Sequence, residues 1–194
     1  MPTEHELLEI WMQQELIQEV SPADRKTVFD TLHVETFKRG DSLFKKDCNK
    51  AYFLVEGLIK VVDHTNTNKI FFTYYGPKFF TELFSYSSGE SSRYKFISVT
   101  NATLLTIDKG VAEMLGEKIF NFEKCFRKIT MINAMETILD LEKFHLLKPE
   151  NRFEDLRKNK PYLFQLMSNK EIASLIGITP ESLSRLQKRS IKKL

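Results

Sequence analysis

Between Ser168 and Arg189 the chain strings together local signals that define two short helices and a tight turn. Ser168 is followed three residues later by Glu171, the spacing of a capping box, so a helix is expected from Asn169 to Ile176. Ile172, Ala173, Leu175 and Ile176 form its apolar side, and Ala173 is small enough to let a crossing helix approach closely. Gly177 ends it, because glycine enters the left-handed conformation after a helix without steric cost. Ile178 plugs the turn, Thr179 caps the next helix, and Pro180 occupies its first position, where a missing N–H is harmless. Leu183 and Leu186 point inward. Glu181, Ser182, Ser184, Arg185, Lys188 and Arg189 make up the opposite, polar face. This is the form of a helix-turn-helix DNA reader, whose second helix enters the major groove. The competing reading is an ordinary helical hairpin with a solvated charged side. The full order of cap, small residue, glycine turn, second cap and basic end favours the reader.

Charge distribution agrees with that reading. Residues 148–194 hold eleven Lys and Arg against five Asp and Glu, whereas the rest of the chain holds 18 against 21. The basic excess sits with the reader, as phosphate binding requires. The 194 residues, 42% of them hydrophobic, can make one domain or two. No run reaches the length of a membrane span, and Met1 to Glu9 carries acids rather than a secretory pattern, so a cytoplasmic setting is expected. Cys48 and Cys125 are too few for an iron–sulfur cluster and not spaced for zinc, and are expected to be reduced thiols. His64 and His145 stand alone, so neither metal nor haem is expected. No nucleophile constellation, P-loop or metal spacing appears, so the chain is not expected to be an enzyme.

From Thr36 to Ile107 the composition turns to Phe, Tyr, Val, Ile and Thr broken by short turn signals, which predicts many short strands in an antiparallel roll or sandwich. Turns are expected at Gly40-Asp41, at Glu56-Gly57 as the bend of a hairpin, at Asp63 to Asn68 and at Gly76-Pro77. A long helix follows from about Lys118 to Leu147, with Phe122, Phe126, Ile129, Ile132, Met135 and Leu139 at three- and four-residue steps. That row faces either the roll of its own chain or a second copy. Glu150 to Tyr162 reads as a charged helix and linker. Ahead of the roll, Glu4 to Leu32 reads as helical, with Ser21-Pro22 opening a second helix.

The run Ser168-Asn-Lys-Glu-Ile-Ala-Ser-Leu-Ile-Gly-Ile-Thr-Pro-Glu-Ser-Leu-Ser-Arg-Leu resembles the DNA-binding motif of the Crp/Fnr (cyclic-AMP receptor/Fnr) family of bacterial transcription regulators. Phe37-Lys-Arg-Gly-Asp-Ser-Leu-Phe-Lys-Lys-Asp and Tyr52-Phe-Leu-Val-Glu-Gly-Leu-Ile-Lys-Val-Val resemble strands of that family's roll. The resemblance implies an α+β fold. It has an N-terminal antiparallel β-roll of the cyclic-nucleotide-binding type over 1–117, a dimerisation helix over 118–147, and a (winged) helix-turn-helix domain over 148–194. Any wing strands must precede the first reader helix or be absent. It implies base contacts from Glu181 and Arg185, with Ser182 and Ser184 beside them, and phosphate contacts from Ser168, Lys170, Thr179, Lys188 and Arg189. Arginine pairs bidentately with guanine, and a neighbouring carboxylate accepts from cytosine or orients the arginine. Pro180 stands where the family's receptor has a basic residue. The implied partners are double-stranded DNA, a second copy of the chain and RNA polymerase, with no membrane.

The family's nucleotide-binding cassette aligns with Phe80 to Phe96. Glu82 and Leu83 match it, and Arg93 reaches the arginine position after a one-residue insertion. Thr81 replaces a glycine, and Tyr94 and Lys95 stand where small residues occur. These departures argue against cyclic AMP, and no cofactor is expected. Two further readings stay open: a sensor of a cyclic nucleotide or another anionic effector, using Glu82, Leu83 and Arg93, with Lys95 suited to an anion, whose DNA binding requires the ligand; and a protein-interaction scaffold.

Overall fold

The computed structural model describes residues 2–43 and 49–191. Cys48 and the end of the Phe37 to Asp47 run lie outside them. In chain order the elements are α1 (Glu4–Met12), a 3-10 turn (Glu15–Ile17), α2 (Pro22–Phe29), β1 (His33–Phe37), β2 (Lys50–Glu56), β3 (Leu58–Asp63), β4 (Ile70–Tyr75), β5 (Lys78–Thr81), α3 (Leu83–Ser88), β6 (Tyr94–Ser98), β7 (Ala102–Asp108), α4 (Lys109–Lys118), α5 (Phe122–Leu146), α6 (Pro149–Asn159), α7 (Leu163–Leu166), α8 (Asn169–Leu175) and α9 (Pro180–Ile191).

The strands form two antiparallel sheets, ordered β1-β7-β2-β5 and β4-β3-β6. Successive side chains on a strand point to opposite faces, and here both faces are covered. Tyr52, Leu54, Ile59, Val61, Phe80 and Phe96 fill the space between the sheets. Phe53 and Val55 point the other way, into a cluster with Leu7, Trp11 and Phe122, while Leu58 and Val62 point into a third cluster made largely by the C-terminal helices. That double burial is why β2 and β3 read as nearly continuous apolar runs.

The Glu56-Gly57 bend is not the tip of a hairpin, contrary to the sequence expectation. β2 pairs with β5 and β7, and β3 with β4 and β6, so the bend carries the chain from one sheet into the other. Gly57 makes this corner at φ +108°, where an added Cβ would lie 2.7 Å from the Asn101 carbonyl oxygen and the Ala102 Cβ. The expected polar turn does join β3 to β4: Asp63 accepts from the N–H of Thr65 at 2.7 Å and of Asn66 at 3.0 Å.

Thr3 and Glu6 close a capping box on α1, Ser21 caps α2, and Trp11 donates to the Arg25 carbonyl at 3.1 Å while its ring meets Phe53 edge-on at 5.8 Å. These helices cover the outer face of the first sheet. The helix expected from about Lys118 to Leu147 starts at Phe122 as α5: Lys118 ends α4, and Asn121, at φ +65°, separates the two helices.

α5 also divides the apolar row read from the sequence. Phe122 and Ile129 are buried against the roll and Phe126 packs beside them, with Cys125 and Asn133 on the same side. Met135 and Leu139 are more than half exposed. The reason is geometric. From Phe126 through Ile129 and Ile132 to Met135 each three-residue step falls about 60° short of a full turn, so the row winds half-way round the helix. Met131, Met135, Ile138, Leu139 and Leu146 form a separate face opposite the roll, each at least 52% exposed.

Among the described residues from 148 onward there is no strand, so of the two alternatives left open for a wing, absence holds there. The short connection from α6 to α8 instead turns into α7, which buries Leu163 completely. The core of the C-terminal helices is continuous with the roll: Ile172, Ala173 and Leu183 belong to one cluster with Leu58, Val62 and Ile70. Among the described residues, no helix is long and apolar enough to cross a membrane.

Candidate nucleic-acid interface

The local chemistry read from Ser168 onward is realised bond by bond. Ser168 Oγ accepts from the Glu171 N–H at 3.3 Å, and the Glu171 carboxylate accepts from the Ser168 N–H at 2.9 Å, closing the capping box of α8. At the other end the Ile178 N–H reaches the Ala173 carbonyl at 2.9 Å and the Gly177 N–H the Ser174 carbonyl at 3.1 Å, the paired bonds of a Schellman motif. Gly177 adopts φ +71°, and the Phe144 ring stands 2.7 Å from where a Cβ would be. Thr179 Oγ1 accepts from the Ser182 N–H at 3.3 Å and so caps α9. Ala173 and Leu183 are fully buried where the two helices cross. Gln187 donates to Asn169 at 3.2 Å across the same crossing.

The face of α9 turned away from this core presents Glu181, Arg185, Lys188 and Arg189, all exposed, with Ser182 and Ser184 half-buried among them. The Glu181 carboxyl is held below its usual range by its own backbone N–H, then by the Thr179 hydroxyl, with a smaller contribution from Arg185. Glu181 and Arg185 lie one helical turn apart on this face. Ser168 and Lys170 are exposed at the start of α8. The hydroxyls of Ser168 and Thr179 serve as caps, and Lys170, Lys188 and Arg189 are exposed cations of the same two helices.

Sequence reasoning missed three residues that hold the helix-turn-helix in place. Lys60 of β3 forms an ion pair with Glu171 at 2.6 Å. Burial pushes the Glu171 carboxyl up, but hydrogen bonds from Lys60 and Ser168 outweigh it and hold the group below its ordinary range. Ser174 donates to the Asn68 carbonyl at 2.6 Å and accepts from the Ile70 N–H at 3.0 Å. Arg152 bridges three carbonyls: Phe144 at 2.6 Å, Leu147 at 2.8 Å and Ile176 at 2.9 Å. Lys60 had a sequence signal, since it shares strand parity with the outward-facing Leu58 and Val62. Arg152 had none, because its acceptors lie at the ends of two other helices, Phe144 and Leu147 at the end of α5 and Ile176 at the end of α8.

Of the residues that match the nucleotide cassette, Glu82 and Leu83 lie at the start of α3 and Arg93 just before β6. Glu82 is buried and caps α3, accepting from the Ser85 N–H at 2.6 Å. Leu83 is half-buried, and Arg93 is exposed with its guanidinium 4.9 Å above the Phe84 ring. Between the sheets, Tyr74 stacks on Phe80 at 4.5 Å, Phe80 on Tyr52 at 5.1 Å, and Tyr74 on Phe96 at 6.1 Å. Burial, then the charges of Glu136 and Glu82, push the Tyr74 phenol well above its ordinary value, so it stays neutral. Burial likewise pushes the Cys125 thiol up, which disfavours thiolate chemistry. Among the described residues, no group of three or more His, Cys, Asp or Glu is placed to hold a metal.

No protein-family model matches this chain, and no curated protein matches it. Solved structures do. A protein from Eubacterium rectale, described as a transcriptional regulator of the Crp/Fnr family, superposes with a TM-score of 0.69 over 93% of this chain and 88% of its own, at 11% identity. FixK2 from Bradyrhizobium japonicum gives 0.67 over 84% and 85%, at 12% identity. CLP, a c-di-GMP-responsive global regulator from Xanthomonas campestris, gives 0.65 over 89% and 93%, at 14% identity. At such identities the likeness is one of architecture: a roll of two antiparallel sheets, a long helix and a helix-turn-helix, the fold of Crp/Fnr regulators.

Proposed function

We propose that this chain is a sequence-specific, DNA-binding transcription regulator of the Crp/Fnr type, a non-enzymatic cytoplasmic protein that binds a palindromic operator as a homodimer. The observation that carries the reading is the outward face of α9. It is a helix fixed by Leu183 and the Thr179 cap, exposing Glu181, Arg185, Lys188 and Arg189 within a fold shared with such regulators. Arg185 and Glu181 read base edges, with Ser182 and Ser184 beside them; Lys170, Lys188 and Arg189 neutralise phosphates, with Ser168 and Thr179 at their margins.

The outward apolar face of α5, Met131, Met135, Ile138, Leu139 and Leu146, supports self-association. A two-fold dimer reads two half-sites about 34 Å apart, which a single reader cannot do. The aromatic filling of the roll, the capping task of Glu82 and the exposure of Arg93 support control by something other than a cyclic nucleotide. RNA polymerase is the partner through which such a regulator acts.

Selection of random duplex DNA by the purified chain without added ligand, followed by anisotropy titration at two salt concentrations, tests this. A two-fold consensus and a strong salt dependence are expected. Recovery of no preferred sequence overturns the reading of an effector-independent regulator.

A further inference from the structure

Where the end of α5 passes beneath β4, α6 and α8, the chain leaves a cavity of about 410 Å³. That volume lies within the range of small-molecule sites, roughly 300–1,000 Å³. Its walls come from every part of the molecule that meets there: Phe72 from β4, Leu141 and Phe144 from α5, Leu156 from α6, and Leu175 and Ile176 at the end of α8.

The charges around this apolar interior do not cancel. Two cations have carboxylate partners: Lys143 pairs with Asp155 at 3.2 Å and Lys160 with Asp140 at 3.1 Å. Lys69 and Arg152 also line the cavity, and among the described residues neither pairs with a carboxylate. Arg152 is fixed by its three carbonyl bonds and by stacking 4.6 Å over the Phe144 ring, while its second terminal nitrogen makes no hydrogen bond among the described residues. A guanidinium held rigidly with an unused N–H edge on the wall of an apolar space, with Lys69 elsewhere on the same wall, is suited to receive an anionic head group.

We propose that this cavity binds a small amphipathic anion, a carboxylate carried on an aliphatic or aromatic body. The head group lies at Arg152 and Lys69, and the body lies against Phe72, Leu141, Leu156 and Leu175. The site is separate from the roll residues Glu82 and Arg93. Because β4 belongs to the roll and α8 to the reader, an occupant touches both, and its binding bears on how firmly they are joined.

Titration calorimetry of the full chain with sodium decanoate tests the site without DNA, so its outcome is independent of the regulator reading. Saturable binding of one decanoate per chain is expected. Lys69→Glu weakens it about fivefold or more, and Thr73→Trp, which fills the cavity from β4, abolishes it; circular dichroism and a thermal melt confirm that both variants fold. 1-Decanol, with the same tail and no charge, binds more weakly than decanoate. Glu15→Lys, at an exposed position in the 3-10 turn ahead of α2 and away from the cavity lining, leaves decanoate binding unchanged. Absence of saturable binding, equal binding by wild type and both cavity variants, equal binding of 1-decanol, or loss of binding in Glu15→Lys each overturns the proposal.

Discussion

Lys60 Nζ and Glu171 Oε1 meet at 2.6 Å across the junction between roll and reader, with side chains only 17% and 19% exposed. The same carboxylate closes the α8 capping box, so one group both starts a reader helix and ties it to β3. Lys60→Met leaves that carboxylate half-enclosed without its cation, and a loss of about 1–2 kcal/mol is expected from the urea midpoint at pH 7. The pH dependence has a definite sign. The Glu171 carboxyl is lowered in the folded chain, so its contribution is complete above the unfolded carboxyl value, about 4.3, and disappears as pH falls through the folded value. The stability gap between wild type and Lys60→Met therefore closes in acid. A gap that stays constant from pH 7 to pH 3 would show that the pair contributes nothing.

Gly177 answers to two constraints at once, a positive φ and the Phe144 ring at 2.7 Å from a would-be Cβ. Gly177→Ala is expected to cost about 1–3 kcal/mol in thermal or urea unfolding. In Gly177→Ala/Phe144→Ala the steric part is removed while the backbone part, about 1 kcal/mol, persists. Additive single-site costs in that double variant would deny the contact.

For DNA, Arg185→Ala is expected to lower discrimination at one base pair of each half-site by about 1–3 kcal/mol. Lys188→Ala lowers affinity for all sequences and makes the salt slope shallower by about one. Competition anisotropy against single-base operator variants separates the two effects. A wild-type preference retained by Arg185→Ala removes that residue from base reading.

Ile138→Glu places a charge in the outward apolar face of α5, 62% exposed in the single chain. Sedimentation equilibrium is expected to show the wild type as a dimer and this variant as a monomer, with an unchanged far-ultraviolet spectrum. A variant that remains dimeric would locate the interface elsewhere.

Legibility followed the range of the interactions. Ser168, Gly177, Thr179 and Pro180 act on backbone groups within four residues, and the reader they encode has the bounds the sequence suggested to within a residue. The Glu56-Gly57 corner was visible as a bend but not as a change of sheet, because β2 takes its partners from β5 and β7, which lie far along the chain, and not from β3. The row on α5 was read as one stripe because its steps were counted without summing their angles. Arg152, Ser174 and the cavity between them depend on contacts spanning the roll, α5 and the reader, and no local pattern announces them.

α5 is 25 residues long, about 37 Å at 1.5 Å per residue, with its inward face ending at Asn133 and its outward face beginning at Met131. The two faces are keyed to one another by helical phase. One residue inserted just after Met135 would turn the outward side chains beyond it by about 100° relative to the roll, whereas four inserted residues would restore the phase to within about 40° and lengthen the rod by about 6 Å. In the proposed dimer, the spacing and facing of the two helix-turn-helices are in that sense counted out in residues along α5, and chain length there matters as much as the side chains of α9.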